Sequence, residues 1–524
     1  MENKMEGSYY TPYATVEFMY RYFFEQKQEV KSLLEPSAGD GRFIDIFCKK
    51  ADIDKIVGVE INENKAEQLK SKNYPKNVEI ITSDFLAASS TFQKMFQLVI
   101  GNPPYINIKN MSKNGIAAGK TLCRRLNISE SVFKNTWVAF VLASVKLLTK
   151  DGAIFFVLPM EFLQVQYAEK LRGFLEKKFN TIHILTFAER MFPEIEQEAC
   201  LVYMTNEPEA LPYILYRHYD KLNSMYFSYE SKIQRNKPLK KWTNAILFDR
   251  DIDLLKKVIN RCEQIKNISD SAPGIVTGAN AKFILTKKEV VAYNCEELVV
   301  PVISKGIMAK NSYEINNELV EKLAEKGQKV FLLNLASIAL SDMPESLVTY
   351  LSQFGDEERN GIKIRDSYKC SRRSPWYAVP LVAPGEVVFF KRYGSYPRFS
   401  TNPDNIYTTD IAYNLKLKKG VSPESLVFCF YNSVTLTQCE VVGRYYAGGV
   451  SELTPNEFRS LVVPYKAISL EDIQELKEMF NANEKPHVIL DFVDSRTLTT
   501  IASGEEISQL RIIREKLIRR RIHR

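Results

Sequence analysis

Leu98-Val99-Ile100-Gly101-Asn102-Pro103-Pro104-Tyr105 decides how this chain is read. A short apolar run closed by glycine and two prolines is a buried strand that stops abruptly, because neither proline has an N–H to give to a sheet. The last four residues therefore form a stiff loop at a strand's carboxyl end, where ligands collect in open parallel sheets. The loop offers a side-chain amide, a carbonyl held rigid by proline, and an aromatic ring. Such a set accepts hydrogen bonds from a flat, amino-bearing group and stacks on its face. Taken alone, the tetrad is equally a proline-terminated strand with an Asn completing the turn. Its neighbours separate the two readings.

Upstream, Val30 to Leu34 predicts a short strand leading into Glu35-Pro36-Ser37-Ala38-Gly39-Asp40-Gly41, and a helix pattern follows from Arg42. Glycines let a backbone approach a ligand, and free amides at a helix start favour polar or negative groups. Only the Gly39-x-Gly41 part of the dinucleotide fingerprint is present, and an ordinary strand-to-helix turn is the alternative. A second strand, Lys55 to Val59, ends in Glu60, about twenty residues past the loop, where a carboxylate suits ribose hydroxyls. A third, Val78 to Ile81, is followed by Asp84-Phe85: an acid and a ring suited to an adenine, although Asp84 equally suits a helix cap. Before all of these, Thr11-Pro12 opens an amphipathic helix as N-cap and first helical residue. Each feature has a plain structural alternative; four of them in this order, each at the end of its own strand, do not share one.

These residues resemble the gamma class of S-adenosylmethionine-dependent N6-adenine DNA methyltransferases of type II restriction-modification systems. Thr11-Pro12 is similar to that family's N-terminal cofactor motif, and Glu35 to Gly41, with Pro36, Ala38 and Gly39, to its glycine loop. Glu60-Ile61 resembles the ribose-binding acid and its apolar neighbour, Asp84-Phe85 the pair that reads the cofactor's adenine, and Asn102-Pro103-Pro104-Tyr105 the catalytic tetrad letter for letter. Asp151-Gly152 to Pro159 resembles a later strand ending in proline. Met191-Phe192-Pro193 resembles a segment whose Phe packs on the target base, against the alternative of a core aromatic. The order, cofactor region first, tetrad next and a long C-terminal region last, is that of the gamma class. The resemblance implies a doubly wound mixed α/β sheet over residues 1–235, a linker over 236–268, an α+β target-recognition domain over 269–465 and a basic helical extension over 466–524. Its cofactor is S-adenosylmethionine and its substrate double-stranded DNA, one adenine being flipped out for transfer. Thr11, Pro12, Glu35, Pro36, Ala38, Gly39, Gly41, Glu60, Ile61, Asp84, Phe85 and Asn102 then serve the cofactor, and Asn102 to Tyr105 with Phe192 the base.

In the second half, Gly274 to Phe283 resembles the opening of the target-recognition domain, and Gly443 to Gly449 followed by Leu453-Thr454-Pro455 is another pattern typical of the family. Cations interleave with aromatics around Lys363 to Tyr377 and Lys391 to Phe399. Such mixtures suit phosphate contact and groove readout, although a charge run is also an ordinary solvated face. The candidate DNA contacts are Lys282, Arg372, Arg373, Lys391, Arg392, Arg398 and Arg444. The arginine-rich end, Arg511 to Arg524, is either a DNA-facing helix or a frayed terminus.

Bulk properties bound the rest. The chain has 524 residues, formal charge +8, and 26% charged residues, enough length for two or three domains of a soluble type. Neither a secretory leader nor an apolar run of membrane-spanning length is legible, so a cytoplasmic protein, associated with the nucleoid through DNA, is expected. Eight scattered cysteines and four histidines make no ligand cluster, so no metal is expected. A monomer is expected, with any cleaving activity belonging to a separate cognate endonuclease. Alternatives are an RNA or protein-glutamine methyltransferase, a bifunctional restriction-modification enzyme, or a DNA-binding module with a decayed catalytic half.

Overall fold

The computed structural model describes residues 10–27, 29–93, 95–192, 198–206, 211–235, 240–359, 361–446 and 449–522, divided into two compact units at Phe248/Asp249. The first is built on a nine-stranded sheet: β1 (Ser32–Glu35), β2 (Lys55–Glu60), β3 (Val78–Thr82), β4 (Phe96–Gly101), β5 (Leu148–Pro159), β6 (Thr181–Phe187), β7 (Ala199–Thr205), β8 (Tyr213–Tyr219) and β9 (Phe227–Gln234). Their order is β3-β2-β1-β4-β5-β7-β6-β8-β9. The first five strands in that order run parallel, β7 lies antiparallel between β5 and β6, and β9 closes the edge antiparallel to β8. This is the expected doubly wound mixed sheet.

Because successive parallel strands need crossovers, helices Arg42–Lys50, Glu63–Ser71 and Thr136–Leu147 cover the sheet, and the central strands are largely buried, with apolar centres such as Leu33-Leu34 and Leu98-Val99-Ile100. The strand order reverses between β1 and β4, which pair at Leu33/Leu98 and Leu34/Val99. The loops after β1, β2, β3 and β4 all leave the same, carboxyl, edge beside that switch point, where a doubly wound sheet opens its binding crevice.

The helix Tyr13–Gln26 packs Val16, Phe18, Met19, Tyr22 and Phe23 into this unit's core. Its start differs from expectation. Pro12 takes the cap position, with no side-chain cap bond, and the Pro12 carbonyl accepts from Thr15 and Val16. Thr11 is instead buried, its carbonyl accepting from Arg42 Nη1 at 3.0 Å.

The division of the chain falls inside the segment expected as a linker, and the described part of that segment, from Lys240 on, is built structure. Trp242 donates from Nε1 to Glu176 at 3.0 Å within the first unit, while helix Asp249–Ile259 belongs to the second. Lys237 and Pro238 lie outside the described residues.

The second unit combines a four-stranded antiparallel sheet (Ser269–Pro273, Ala412–Leu417, Val387–Phe390, Arg398–Thr401) with a smaller mixed sheet and helices. The final helices, Leu470–Asn481, Pro486–Thr497 and Gly504–Ile522, are part of this unit rather than an appendage: Ile473, Leu476, Ile489 and Val493 join the core of the four-stranded sheet. As far as Ile522, the arginine-rich end is helical rather than frayed. Leu510, Ile513 and Leu517 are fully buried, and the Arg521 side chain is enclosed against Glu440.

Candidate active site

The glycine loop is shaped by the backbone. Gly39 and Gly41 sit at φ +58° and +84°, where a side chain is strained, and a Cβ at Gly41 would lie 2.6 Å from Leu69 and Tyr74. Ala38 donates its N–H to the Val59 carbonyl at 2.9 Å, anchoring the loop across β2. The Glu60 carboxylate then accepts from the Gly39 N–H at 2.8 Å and the Asn62 N–H at 2.9 Å, so the acid that ends β2 is fixed by the loop that ends β1. Ser37 completes the tie to β4, its hydroxyl donating to the Asn102 backbone carbonyl at 3.1 Å.

These loops enclose one cavity of about 330 Å³. It is lined by Thr11, by Glu35, Pro36, Ala38 and Gly39 from the glycine loop, by Glu60 and Ile61, by Asp84 and Phe85, and by Asn102, Pro103, Pro104 and Tyr105. Three expected residues stand apart. Pro12 and Gly41 shape the helix and the turn without lining the cavity, and Phe192 is 6% exposed in the first unit's apolar core, with Leu185, Leu201 and Tyr203. A core aromatic was the alternative reading of Phe192, and its surroundings are those of one. Pro193 lies outside the described residues.

The cavity's chemistry is uneven. Glu35 is 2% exposed and its Oε2 has no hydrogen-bond partner; burial, with Asp40 nearby, drives its carboxyl well above the ordinary range. Asp84 accepts the Leu86 N–H at 2.8 Å, so it caps the short helix Phe85–Ala88 and lines the cavity at once. Tyr105 donates its hydroxyl to the Val157 carbonyl at 3.1 Å, which locks the ring, and burial raises its phenol.

Several wall residues carried no sequence signal. Phe140 meets Phe85 at 4.9 Å between centroids from helix Thr136–Leu147, which is buried at every position but Lys146. Met111 and Ser112 come from the segment after the tetrad, and Lys65 from the helix after β2. Tyr10 also lines the cavity, its ring 3.4 Å from where a Gly39 Cβ would stand; adjacency to Thr11 was the one hint of it.

The chain matches the family model of the Eco57I restriction-modification methylase over residues 44–192, and that of the C-terminal domain of the type II methyltransferase M.Eco57I over residues 239–498. It belongs to the type II restriction-modification methyltransferases. It is 24% identical to the type II methyltransferase M.AccI of Acinetobacter calcoaceticus over 93% of this chain and 90% of that one. To M.XamI of Xanthomonas campestris pv. amaranthicola it is 23% identical, over 87% and 85%. Among solved structures, the type IIL restriction-modification enzyme MmeI in complex with DNA shares the fold at a TM-score of 0.60 and 12% identity, over 97% of this chain and 75% of that one.

In the methyltransferase's second unit, the expected basic contacts divide. Arg373 donates to the carbonyls of Thr277 (2.8 Å) and Val276 (2.7 Å), holding the segment 274–283 in place. Lys282 pairs with Glu357, Arg392 with Glu452 at 2.7 Å, and Arg444 with Glu457 at 3.5 Å. Arg398 is half-buried, its guanidinium lowered by desolvation. Arg372 is exposed and lies over the Tyr368 ring at 4.2 Å, and Lys391 is partly exposed. Ala447 and Gly448 lie outside the described residues. No helix among the described residues is long and apolar enough to cross a membrane.

Proposed function

We propose that this methyltransferase moves a methyl group from S-adenosylmethionine to the exocyclic N6 amine of an adenine flipped out of double-stranded DNA, protecting that DNA from a cognate endonuclease. The observation that carries the reading is that the glycine loop, Glu60, Asp84-Phe85 and the tetrad wall a single cavity, with Ser37 joining loop to tetrad. The donor group fits the residues present. Glu35, buried with an orphan oxygen, suits a cationic amine; Glu60 suits a ribose; Asp84 and Phe85 suit an adenine's amine and face. When bound, S-adenosylmethionine supplies an electrophilic methyl group.

The chain's own contribution is to prepare the acceptor. An adenine amine is a poor nucleophile because its lone pair is shared with the ring. Accepting its two hydrogens with the Asn102 side-chain oxygen and the Pro103 carbonyl draws that nitrogen toward tetrahedral geometry and frees the pair. Pro103 and Pro104 keep the corner rigid, which matters because alignment of reacting groups is worth roughly 7 to 11 kcal/mol. Extruding a base costs a few kcal/mol. Stacking on Tyr105, locked against Val157, returns roughly 1 to 3 kcal/mol of it. Phe192, enclosed in the core, is not needed as a second wall.

Offering the pure protein labelled S-adenosylmethionine with duplex DNA, RNA or protein extract tests the reading. Label is expected in duplex DNA alone; label in RNA or protein contradicts it.

A further inference from the structure

Between Asp84 and Glu130 the chain contains no carboxylate, where its own frequency of 63 acids in 524 residues would place about five. The same stretch carries Lys94, Lys109, Lys113, Lys120, Arg124 and Arg125, and Lys134 follows it closely. At its centre is the tetrad. Beyond the tetrad, Ile106, Asn110, Met111, Ser112 and Gly115 continue the cavity wall, and Ser112 caps helix Lys113–Arg125 by accepting the Gly115 N–H at 3.1 Å. The helix therefore starts at the cavity rim.

Its two faces differ. Gly115, Gly119, Leu122 and Cys123 are buried, Gly119 so close against the Phe133 ring that a Cβ would stand 2.3 Å from it. On the opposite face Lys113, Ala117, Lys120 and Arg124, spaced i, i+4, i+7 and i+11, are all exposed. Lys109 and Lys134 are exposed at its foot, where Ile108 donates to the Lys134 carbonyl at 3.0 Å. Among the described residues, Glu130, 3.6 Å from both Lys120 and Arg124, is the acid paired with this group. Lys113 to Arg124 extends about 16 Å at 1.5 Å per residue. That length matches about five nucleotide steps of one strand at 3.4 Å each.

We propose that the exposed face of helix Lys113–Arg125, with Lys109 and Lys134, is a docking surface for the sugar-phosphate strand of duplex DNA beside the catalytic cavity. The inference rests on the proposed function and adds a partner surface to its site. Charge chooses the occupant: a ridge of like cations that ends at the cavity rim complements a regular row of phosphates. It holds the strand on which the target nucleotide lies, whatever the surrounding sequence.

Fluorescence anisotropy of a labelled mixed-sequence duplex, titrated at several salt concentrations, tests this. For the triple variant K113Q/K120Q/R124Q, affinity is expected to fall about tenfold or more, and the slope of log affinity against log salt to become shallower by about two to three. S-adenosylhomocysteine binding and circular dichroism should match wild type. The charge-matched control K170Q/K177Q/K178Q, on an exposed face of helix Glu169–Lys178, should bind the duplex as wild type does. If the triple variant fails to fold, Arg124→Gln alone should lower the slope by about one. A variant with unchanged affinity and slope overturns the proposal, as does wild-type preference for single-stranded RNA over the duplex. Methyl transfer to DNA by a wild type whose triple variant binds normally would remove this surface and leave the proposed function standing. Steep, variant-sensitive duplex binding without methyl transfer would do the reverse.

Discussion

The Ser37 hydroxyl donates to the Asn102 main-chain carbonyl at 3.1 Å, so the loop after β1 and the tetrad after β4 are held as one piece. Both loops line the cavity, and this bond joins them through a side chain.

Ser37→Ala removes that tie while leaving the tetrad intact. A net hydrogen bond of about 1 kcal/mol corresponds to roughly fivefold in rate. Steady-state kinetics should show kcat lowered about fivefold, with duplex affinity within twofold of wild type. An unchanged kcat would make the contact incidental.

Glu35 sets stability against binding. Burial raises its carboxyl above the ordinary value of about 4.3, so the stability linked to its neutral form is present below that pH and lost as pH rises through the raised value. Glu35→Gln lacks the group that must ionise. Its thermal midpoint should gain on wild type as pH rises from 5 to 9, while S-adenosylhomocysteine affinity falls about tenfold or more through loss of the charged partner. Parallel stability curves across that range would contradict the account.

Arg521 and Glu440 are a fully enclosed pair: Nη2 to Oε1 at 2.6 Å and Nε to Oε2 at 2.7 Å, with Nη2 also donating to the Gly394 carbonyl at 2.7 Å. Removing one member strands the other, at about 3 to 5 kcal/mol. Arg521→Met should lower the second unit's unfolding transition sharply by calorimetry, and the double variant R521M/E440L should recover much of the loss. Recovery distinguishes a buried pair from a packing role for arginine.

How far the site was legible in the sequence follows from what local chemistry writes down. Strand ends announce themselves through Gly, Pro and acids, so the four loops and their order are legible in the residues alone. Residues whose role comes from packing leave no such mark: Phe140 lies within a helix buried at every position but Lys146, and Phe192 is one more buried aromatic in a core rich in them. Long-range pairing defeats charge reading most thoroughly. Arg373 hydrogen-bonds carbonyls about a hundred residues away, and Arg392 pairs with Glu452, while the acid-free stretch after Asp84 hid its one-sided face among apolar residues.

The central claim is that Asn102 and Pro103 prepare an adenine amine for methyl transfer. Nucleoside mass spectrometry of duplex DNA after incubation with S-adenosylmethionine and either wild type or Asn102→Ala measures it directly. The account predicts N6-methyl-2′-deoxyadenosine as the sole modified nucleoside with wild type, none with the variant, and duplex affinity within twofold for both. A methylated cytosine, or a variant as active as wild type, would contradict it.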